Sequence, residues 1–313
     1  MGRPLRIEFF GAQYHVTSRG NERKDVFKSQ NDREQFLSYL NSAVFRYGAV
    51  IHAYCLMNNH YHLLLETPSG NLSQIMKHIN GAYTNYFNVK RKRYGHLFQG
   101  RYKAIVIDAD EYAKELSRYI HLNPVRVGMV AKPEEYRWSS YLDYCGERKR
   151  PEWLSTAFIL EYFGKDKNVS KKYQKFVEDL IDREYESPLN GATAATILGG
   201  AEFVSKITTM YVDGKKFDRD LPAVRKLSAR PTLDALIAAA ESLTENVRLS
   251  KKVGIYLCHA YSGAKLREIG ERFGIKESAV SLVRSRFEQE MERDKELGML
   301  VNKMRVTMNL QNV

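Results

Sequence analysis

The chain has 313 residues, of which 43% are hydrophobic and 27% are charged, a composition that excludes a mainly disordered protein. Its net charge of +12 favours a polyanionic partner, with a basic surface kept for solubility as the alternative, and most of the excess lies before residue 150. The three scattered cysteines, the missing apolar leader and the lack of a run of ~20 apolar residues argue against a disulfide scaffold, secretion and a membrane span, so we expect a cytoplasmic protein that binds no membrane.

Hydrophobic periodicity predicts an α+β arrangement for the first 126 residues, in which helices pack on an antiparallel sheet. The predicted strands are Gln13–Arg19, Val50–Leu56, His60–Glu66 and a run that ends at Asp108, and the predicted helices begin at Asn31, Asn71 and Asp110. We expect the third helix to end at Leu122, because the residue before Pro124 disfavours the helical conformation.

Two histidines lie on one face of the strand His60–Glu66. Side chains alternate along a strand, so His60 and His62 point one way while Tyr61 points the other. An imidazole pair at this spacing can hold a divalent metal if a third ligand arrives from elsewhere. The alternative is a pair of buried, hydrogen-bonded histidines. His15, in the first strand, is expected to have a structural role.

The third predicted helix carries a candidate for the third ligand. Tyr119 and Asn123 are four residues apart and share a helical face, so a helix packed across the sheet could aim both at the histidine pair. His121 points away from that face. A metal held by two imidazoles and one amide oxygen would keep open positions for a phosphate oxygen, and Tyr119 would then be the nucleophile. The alternative for Tyr119 alone is a core tyrosine.

Cations are clustered beside aromatic residues where the second predicted helix ends. Such a cluster can contact phosphates and stack on exposed bases, and the alternative is a solvated helix end. Three further cations, Arg101, Lys103 and Arg118, could add positive potential near a scissile phosphate. The cluster itself consists of Lys90, Arg91, Lys92 and Arg93.

Beyond the third helix the composition predicts two more regions. We expect a catalytic domain over residues 1–150, with 133–150 as its close and an exposed link. Residues 151–230 are predicted to be a helical connector, and residues 231–313 a helical domain.

The pattern at about residues 264–286 has the form of a helix-turn-helix with Gly274 in the turn. Its second helix would present Ser278, Ser281 and Arg284 to the major groove of duplex DNA. An ordinary pair of antiparallel helices is the alternative.

Four sequence blocks resemble those of the HUH single-tyrosine transposases, in particular their REP-associated branch. The blocks are Tyr14–Asn21, His60–His62, Gly95–Lys103 and Arg118–Arg126, and the match spans roughly residues 5–145. The resemblance implies an HUH/RRM-like fold and a bacterial, nucleoid-associated endonuclease and strand transferase of DNA transposition. It also implies single-stranded DNA with a hairpin as the substrate, and a monomer or homodimer as the working form.

The resemblance further implies roles for single residues. Tyr119 would form a 5′-phosphotyrosine link to DNA, and Arg19 and Arg126, which lie in the matching blocks, are expected to contact DNA. The ligands of Mg²⁺ or Mn²⁺ would be His60, His62 and Asn123. Many relatives have Gln at the third ligand position.

Two other classes compete with this hypothesis. A DNA-binding regulator could use the same domain only to grip hairpins, but it would not need the tyrosine, both histidines and the asparagine together. A zinc hydrolase is disfavoured because the sequence has no His-Glu-x-x-His motif and no thiolate cluster.

Overall fold

The computed structural model describes residues 5–181, 183, 186–211, 231–244, 246–262 and 264–308. The described residues divide into two compact units, one that ends at Lys206 and one that begins at Ile207. Within the described ranges, no helix combines the length and the apolar character that a membrane crossing requires.

A five-stranded sheet forms the centre of the first unit. Its strands are β1 (Ala12–Arg19), β2 (Val50–Leu56), β3 (His60–Thr67), β4 (Lys103–Ile107) and β5 (Ile197–Leu198). They lie in the order β2-β3-β1-β4-β5, and every neighbouring pair is antiparallel except β4 and β5. The predicted sheet with packed helices is confirmed, and β5 is an addition that the sequence did not indicate.

Helices cover both faces of this sheet. They are α1 (Gln30–Tyr47), α2 (Leu72–Lys90) and α3 (Ala109–Arg126). Tyr61 faces α1 and α2, because its ring lies 4.7 Å from that of Phe36 and its hydroxyl donates a 2.6 Å hydrogen bond to Asn80. On the other face, Leu64 is buried in one cluster with Ile120 of α3. The alternation along β3 therefore sends His60 and His62 to the side of α3.

A buried carboxylate ties α1 to α2. Asp32 caps the start of α1 in a reciprocal arrangement with Ser29, and it also forms ion pairs with Lys90 and Arg91 at the end of α2. Burial opposes the charge of this carboxylate, but the hydrogen bonds from the two cations prevail and lower its pKa to about 2. Two members of the predicted DNA-binding cluster thus stabilise the fold.

The expected end of α3 at Leu122 is wrong, since the helix runs through Pro124 to Arg126. Proline removes one backbone hydrogen bond in a helix and usually costs about 3 kcal/mol or more in its interior. Here it lies in the last turn, where Leu122 and Pro124 are both buried and Met129 donates to the carbonyl of Pro124 at 2.9 Å. Packing of the last turn holds the helix together.

Residues 136–181 are part of the first unit. The backbone N–H of Leu56 donates to the carbonyl of Trp138 at 2.9 Å, and the backbone N–H of Ser140 donates to the carbonyl of Tyr54 at 3.0 Å. These two hydrogen bonds attach the segment to the edge strand β2. Three short helices follow, α4 (Tyr141–Cys145), α5 (Ala157–Glu161) and α6 (Val169–Glu178). The helices α5 and α6 lie in the region that was predicted to be a helical connector, of which residues 182, 184 and 185 lie outside the described part.

The back of α3 is held by a buried polar network. His121 is fully buried, and its Nδ1 lies 2.7 Å from the hydroxyl of Tyr173 in α6. Its Nε2 lies 2.8 Å from Oγ of Ser140, and the hydroxyl of Tyr173 also bonds Ser117 at 3.0 Å. His121 therefore points away from the histidine pair, as expected.

The second unit is helical. After α7 (Ala201–Tyr211), which spans the boundary between the units, it contains α8 (Leu233–Leu243), α9 (Val247–Leu257), α10 (Leu266–Phe273), α11 (Glu277–Arg293) and α12 (Lys295–Thr307). Leu236, Val253, Ile269 and Phe287 form its core. Gly274 ends α10 with a left-handed φ of 64°, so helix, turn and helix lie where the sequence predicted them. Residues 212–230, which include part of the predicted connector, lie outside the described ranges.

The buried state of His121 predicts an acid-dependent loss of stability. Burial lowers the pKa of His121 to about 3, whereas an unfolded histidine titrates near ~6.5. Below that value the unfolded chain binds a proton that the folded chain does not, so the free energy of unfolding falls by about 1.4 kcal/mol per pH unit for this group. We expect His121→Gln to reduce the slope of unfolding free energy against pH between pH 5 and 6 by that amount.

Urea denaturation at several pH values measures this slope for both proteins. His121→Gln also removes the hydrogen bonds of His121, which lowers the free energy of unfolding by the same amount at every pH. This second effect shifts the whole curve and does not contribute to the change in slope. Equal slopes in the wild type and in His121→Gln would contradict a neutral, buried His121.

Candidate active site

The histidine pair of β3 lies beside the end of β1. The ring centroids of His60 and His62 are 5.0 Å apart and nearly perpendicular, with His62 buried and His60 half-buried. In the antiparallel register, Arg19 faces His60 and Thr17 faces His62. Directly paired residues project from the same face of a sheet, so Arg19 lies on the face that carries the imidazoles.

Tyr119 of α3 packs against this pair. Its ring centroid lies 5.8 Å from that of His62 and 6.1 Å from that of His15, edge-on in both cases. The guanidinium carbon of Arg126 lies 5.1 Å from the centre of the Tyr119 ring. The sequence-based expectation that this helix crosses the face of His60 and His62 is thus confirmed by the geometry.

The proton of a neutral His60 can be located from its neighbours. The side-chain Nδ2 of Asn59 donates to the carbonyl of Arg23 at 3.0 Å, so the atom that Asn59 turns to His60 is its oxygen. That oxygen lies 2.6 Å from Nδ1 of His60 and can only accept, which puts the proton on Nδ1. The Nε2 of His60 therefore keeps its lone pair. Glu22 and Arg23 adopt left-handed φ values of 55° and 59° in the turn that presents this carbonyl.

Among the described residues, one ring nitrogen of His62 has a hydrogen-bond partner and the other has none. Its Nδ1 lies 2.9 Å from Nε2 of His15, and the two rings stack at 5.2 Å. Its Nε2 is buried and has no hydrogen-bond partner in the part of the chain that the structure describes. A buried polar atom without a partner is costly, and this atom is of the type that binds divalent metals.

All three imidazoles of this cluster are held neutral. Burial, with the nearby charge of Arg19 as a second cause, lowers the pKa of His60 to about 4. Burial lowers the pKa of His62 well below its usual value, and the neighbouring imidazoles and Arg19 act in the same direction. Burial alone lowers the pKa of His15 to about 4. Neutral imidazoles are the form that can donate a lone pair to a metal.

Asn123 lies one turn beyond Tyr119 and is buried. Its Nδ2 donates to the backbone carbonyl of Tyr119 at 2.8 Å, so the end of the carboxamide that remains for another partner is its oxygen. The described residues contain no group of three or more His, Cys, Asp or Glu side chains that could hold a metal ion. Two imidazole nitrogens and one amide oxygen are nevertheless donor types that suit a divalent cation, and a buried Nε2 of His62 with no partner among the described residues fits such a role.

The cations predicted to bind DNA do not all lie near the histidine pair. Arg19, Lys103 and Arg126 are exposed, and Lys103 pairs with Thr17, which places it on the histidine face. The guanidinium of Arg118, in contrast, stacks on Phe176 at 3.9 Å, donates to its carbonyl and pairs with Glu115. Arg118 therefore holds α3 to α6.

The cluster after α2 is also divided. Lys90 and Arg91 pair with Asp32, and Arg93 donates to the carbonyl of His96 at 3.2 Å, whereas Lys92 is exposed. Arg101 lies elsewhere again, in an open groove of about 670 Å³ beside α2. Other polar residues that line this groove are Arg6, Lys77, Asn80, Asn85 and Asn88.

In the second unit, Ser278 and Ser281 are exposed on α11, as predicted. Arg284 is only partly exposed, and its guanidinium pairs with Glu288 of the same helix at 2.9 Å.

The sequence did not reveal Asn59 and His15 as neighbours of the metal-binding candidates. Asn59 directly precedes His60, a signal that could have suggested the contact. His15 is 47 positions from His62, and only the pairing of β1 with β3 brings the two rings together.

Comparison with protein-family models finds a match for part of the first unit. Residues 8–123 match the family model described as "Transposase IS200 like". No curated protein sequence is significantly similar to the chain. A solved structure of a REP-associated tyrosine transposase bound to a REP hairpin is 17% identical, with a TM-score of 0.42 over 50% of this chain and 92% of that chain. A putative transposase from Deinococcus radiodurans is 19% identical, with a TM-score of 0.28 over 38% of this chain and 95% of that chain.

The neutral state of His60 can be measured directly. An NMR titration should place the midpoint of the His60 imidazole near pH 4, and Arg19→Gln should move this midpoint upward, because removal of a nearby positive charge favours protonation. The shift should be smaller than the effect of burial, which is the larger cause. Lys92→Gln removes an exposed cation beyond α2 and serves as the control. A midpoint near the ordinary value, or one that does not respond to Arg19→Gln, would contradict the geometry.

Proposed function

Since residues 8–123 match the family model described as "Transposase IS200 like", we propose that this protein cuts and rejoins single-stranded DNA through a covalent tyrosine intermediate. The observation that carries the proposal is the edge-on contact of the Tyr119 ring with His62, 5.8 Å between ring centroids, in which a potential nucleophile meets a potential metal ligand. A hairpin-bearing strand is the proposed substrate, as the sequence resemblance implies.

In the proposed reaction, the hydroxyl oxygen of Tyr119 attacks a DNA phosphorus atom. The bond between that phosphorus and the 3′ oxygen of the preceding nucleotide breaks, and the electron pair stays with the leaving oxygen. A 5′-phosphotyrosine ester and a free 3′-hydroxyl result, and the proton lost by the phenol balances the proton gained by the leaving oxygen. One phosphodiester replaces another, so a second 3′-hydroxyl can reverse the step and join strands without an external energy source.

His60, His62 and Asn123 are the proposed ligands of Mg²⁺ or Mn²⁺. Such a cation would neutralise and polarise the scissile phosphate. Three features of the chain suit such a cation: the imidazoles are neutral, Asn59 fixes the His60 proton on Nδ1, and Nε2 of His62 is buried with no partner among the described residues. The hydrogen bond from Asn123 to Tyr119 keeps the carboxamide oriented.

Exposed cations around the pair would bind the DNA backbone. Arg126 lies over the ring of Tyr119, while Arg19 and Lys103 project from the histidine face of the sheet. Positive groups at these places would attract phosphates on both sides of the cleaved bond and stabilise the negative charge of the transition state. Lys92 is exposed after α2 and Arg101 lines the groove beside α2, and both are proposed to contact DNA outside the cleaved bond.

We further propose that α11 reads duplex DNA next to the hairpin, with Ser278 and Ser281 towards the base edges. Arg284 would have to exchange its intrahelical partner Glu288 for a phosphate. In the first unit, His60, His62 and Tyr119 meet within a single chain, which supports a monomer as the working form.

The decisive test is incubation with hairpin-bearing single strands and Mn²⁺, followed by denaturing electrophoresis. We expect the wild type to form a DNA adduct that survives boiling, and Tyr119→Phe to lose both adduct and cleavage by more than ~10³-fold, because the attacking oxygen is gone. Tyr112→Phe removes another hydroxyl from the same helix and should leave the adduct unchanged.

Two results would point away from the proposal. Cleavage without an adduct would indicate attack by water. Tight binding of hairpins with no cleavage, over many hairpin sequences, would favour a DNA-binding regulator.

A further inference from the structure

The hydrogen bond between His62 and His15 leaves a choice of proton position. One ring must donate and the other accept across the 2.9 Å between Nδ1 of His62 and Nε2 of His15. If His15 donates, the proton of His62 must be on Nε2. If His62 donates, its Nε2 carries the lone pair. Only the second arrangement allows His62 to bind a metal.

We propose that His15 is a positioning residue which accepts a hydrogen bond from Nδ1–H of His62 and so holds the lone pair of His62 at Nε2. The consequence for metal binding rests on the function proposed above, whereas the proton position is a property of the chain alone.

The surroundings of Nε2 support this assignment. The atom is buried and has no partner in the described part of the structure. A buried N–H without an acceptor is among the rarest features of folded proteins, and a buried acceptor without a donor is tolerated somewhat more often. The orphan atom is therefore more stable as an acceptor, which assigns the proton to Nδ1 and makes His15 the acceptor.

The neighbouring histidine shows the same arrangement with a different partner. The oxygen of Asn59 accepts from Nδ1 of His60 and leaves Nε2 of His60 with its lone pair. An outer partner on Nδ1 and a free lone pair on Nε2 is the common form of metal-binding histidines, and removal of such partners typically costs 10–100-fold in metal affinity. His15 would serve His62 as Asn59 serves His60.

The position of His15 is fixed by the fold. It is 1% exposed, and the pairing of His15 with Leu64 places it diagonally across from His62 on the same face of the β1–β3 ladder. Its ring stacks on His62 with an interplanar angle of 24° and meets the ring of Tyr119 edge-on. His15 thus contacts both the proposed ligand and the proposed nucleophile, and it has little freedom to turn.

NMR of protein labelled with ¹⁵N-histidine tests the proton position without metal or DNA. The two ring nitrogens of a neutral imidazole give separate signals for the protonated and the unprotonated atom. We expect His62 in the wild type to carry its proton on Nδ1, and His15→Phe, which keeps a ring for stacking but has no acceptor, to move a measurable fraction to Nε2. His62 protonated on Nε2 in the wild type would overturn the proposal.

Mn²⁺ titration by calorimetry tests the consequence. We expect His15→Phe to weaken Mn²⁺ binding 10–100-fold and His15→Gln, which supplies an amide oxygen as acceptor, to recover part of the loss. His52→Phe is the matched control, because His52 is a buried histidine of β2 whose Nε2 pairs with Glu66 at 3.0 Å. Wild-type affinity in a folded His15→Phe variant would contradict the inference.

These measurements separate the two proposals. If the wild type has the Nδ1 proton on His62 but binds no Mn²⁺, or if His62→Ala binds Mn²⁺ as well as the wild type, the proposed metal site fails while the role of His15 stands. If Mn²⁺ binds through His62 but the proton position of His62 is the same in His15→Phe as in the wild type, the inference about His15 fails and the proposed function stands.

Discussion

The pairing of β1 with β3 is the constraint on which the site depends. It brings His15 to His62 although 47 positions separate them, and it sets both imidazoles of β3 on the face that α3 covers. Because side chains alternate with a period of two, a slip of one residue would turn His62 towards α1 and α2 and put Tyr61 beneath Tyr119. The contact of Tyr61 with Phe36 and the burial of both rings oppose that slip.

Residues that follow α3 in the chain pack against the face of α3 that points away from the histidines. His121 bonds the hydroxyl of Tyr173, and Arg118 stacks on Phe176, so α6 holds the side of α3 that faces away from the histidines. Segment 136–145 in turn bonds the edge of β2. Parts of the chain that follow Arg126 therefore help to hold the helix that carries Tyr119 in place.

Local patterns predicted much of this fold and the pair of histidines, since alternation and helical periodicity are written in neighbouring residues. Helical spacing placed Tyr119 and Asn123 on one face of α3, and the contact of Tyr119 with His62 agrees with the hypothesis that this helix packs across the sheet. The continuation of α3 through Pro124 was not predicted, because burial of the last turn outweighs a local preference. Neither could the pairing of Lys90 with Asp32 be predicted, since an ion pair across 58 positions depends on tertiary packing. Most surplus cations looked alike in the sequence, and only their partners distinguish structural cations from exposed ones.

The hydrogen bond from Asn123 to the carbonyl of Tyr119 has one more consequence. A carboxamide is planar, so when its nitrogen is held at 2.8 Å by the backbone of Tyr119, the direction of its oxygen is set as well. A carboxylate at this position would offer oxygen but no N–H to hold it, and it would be free to turn. The direction in which the oxygen of Asn123 points therefore depends on the position of the backbone that carries Tyr119.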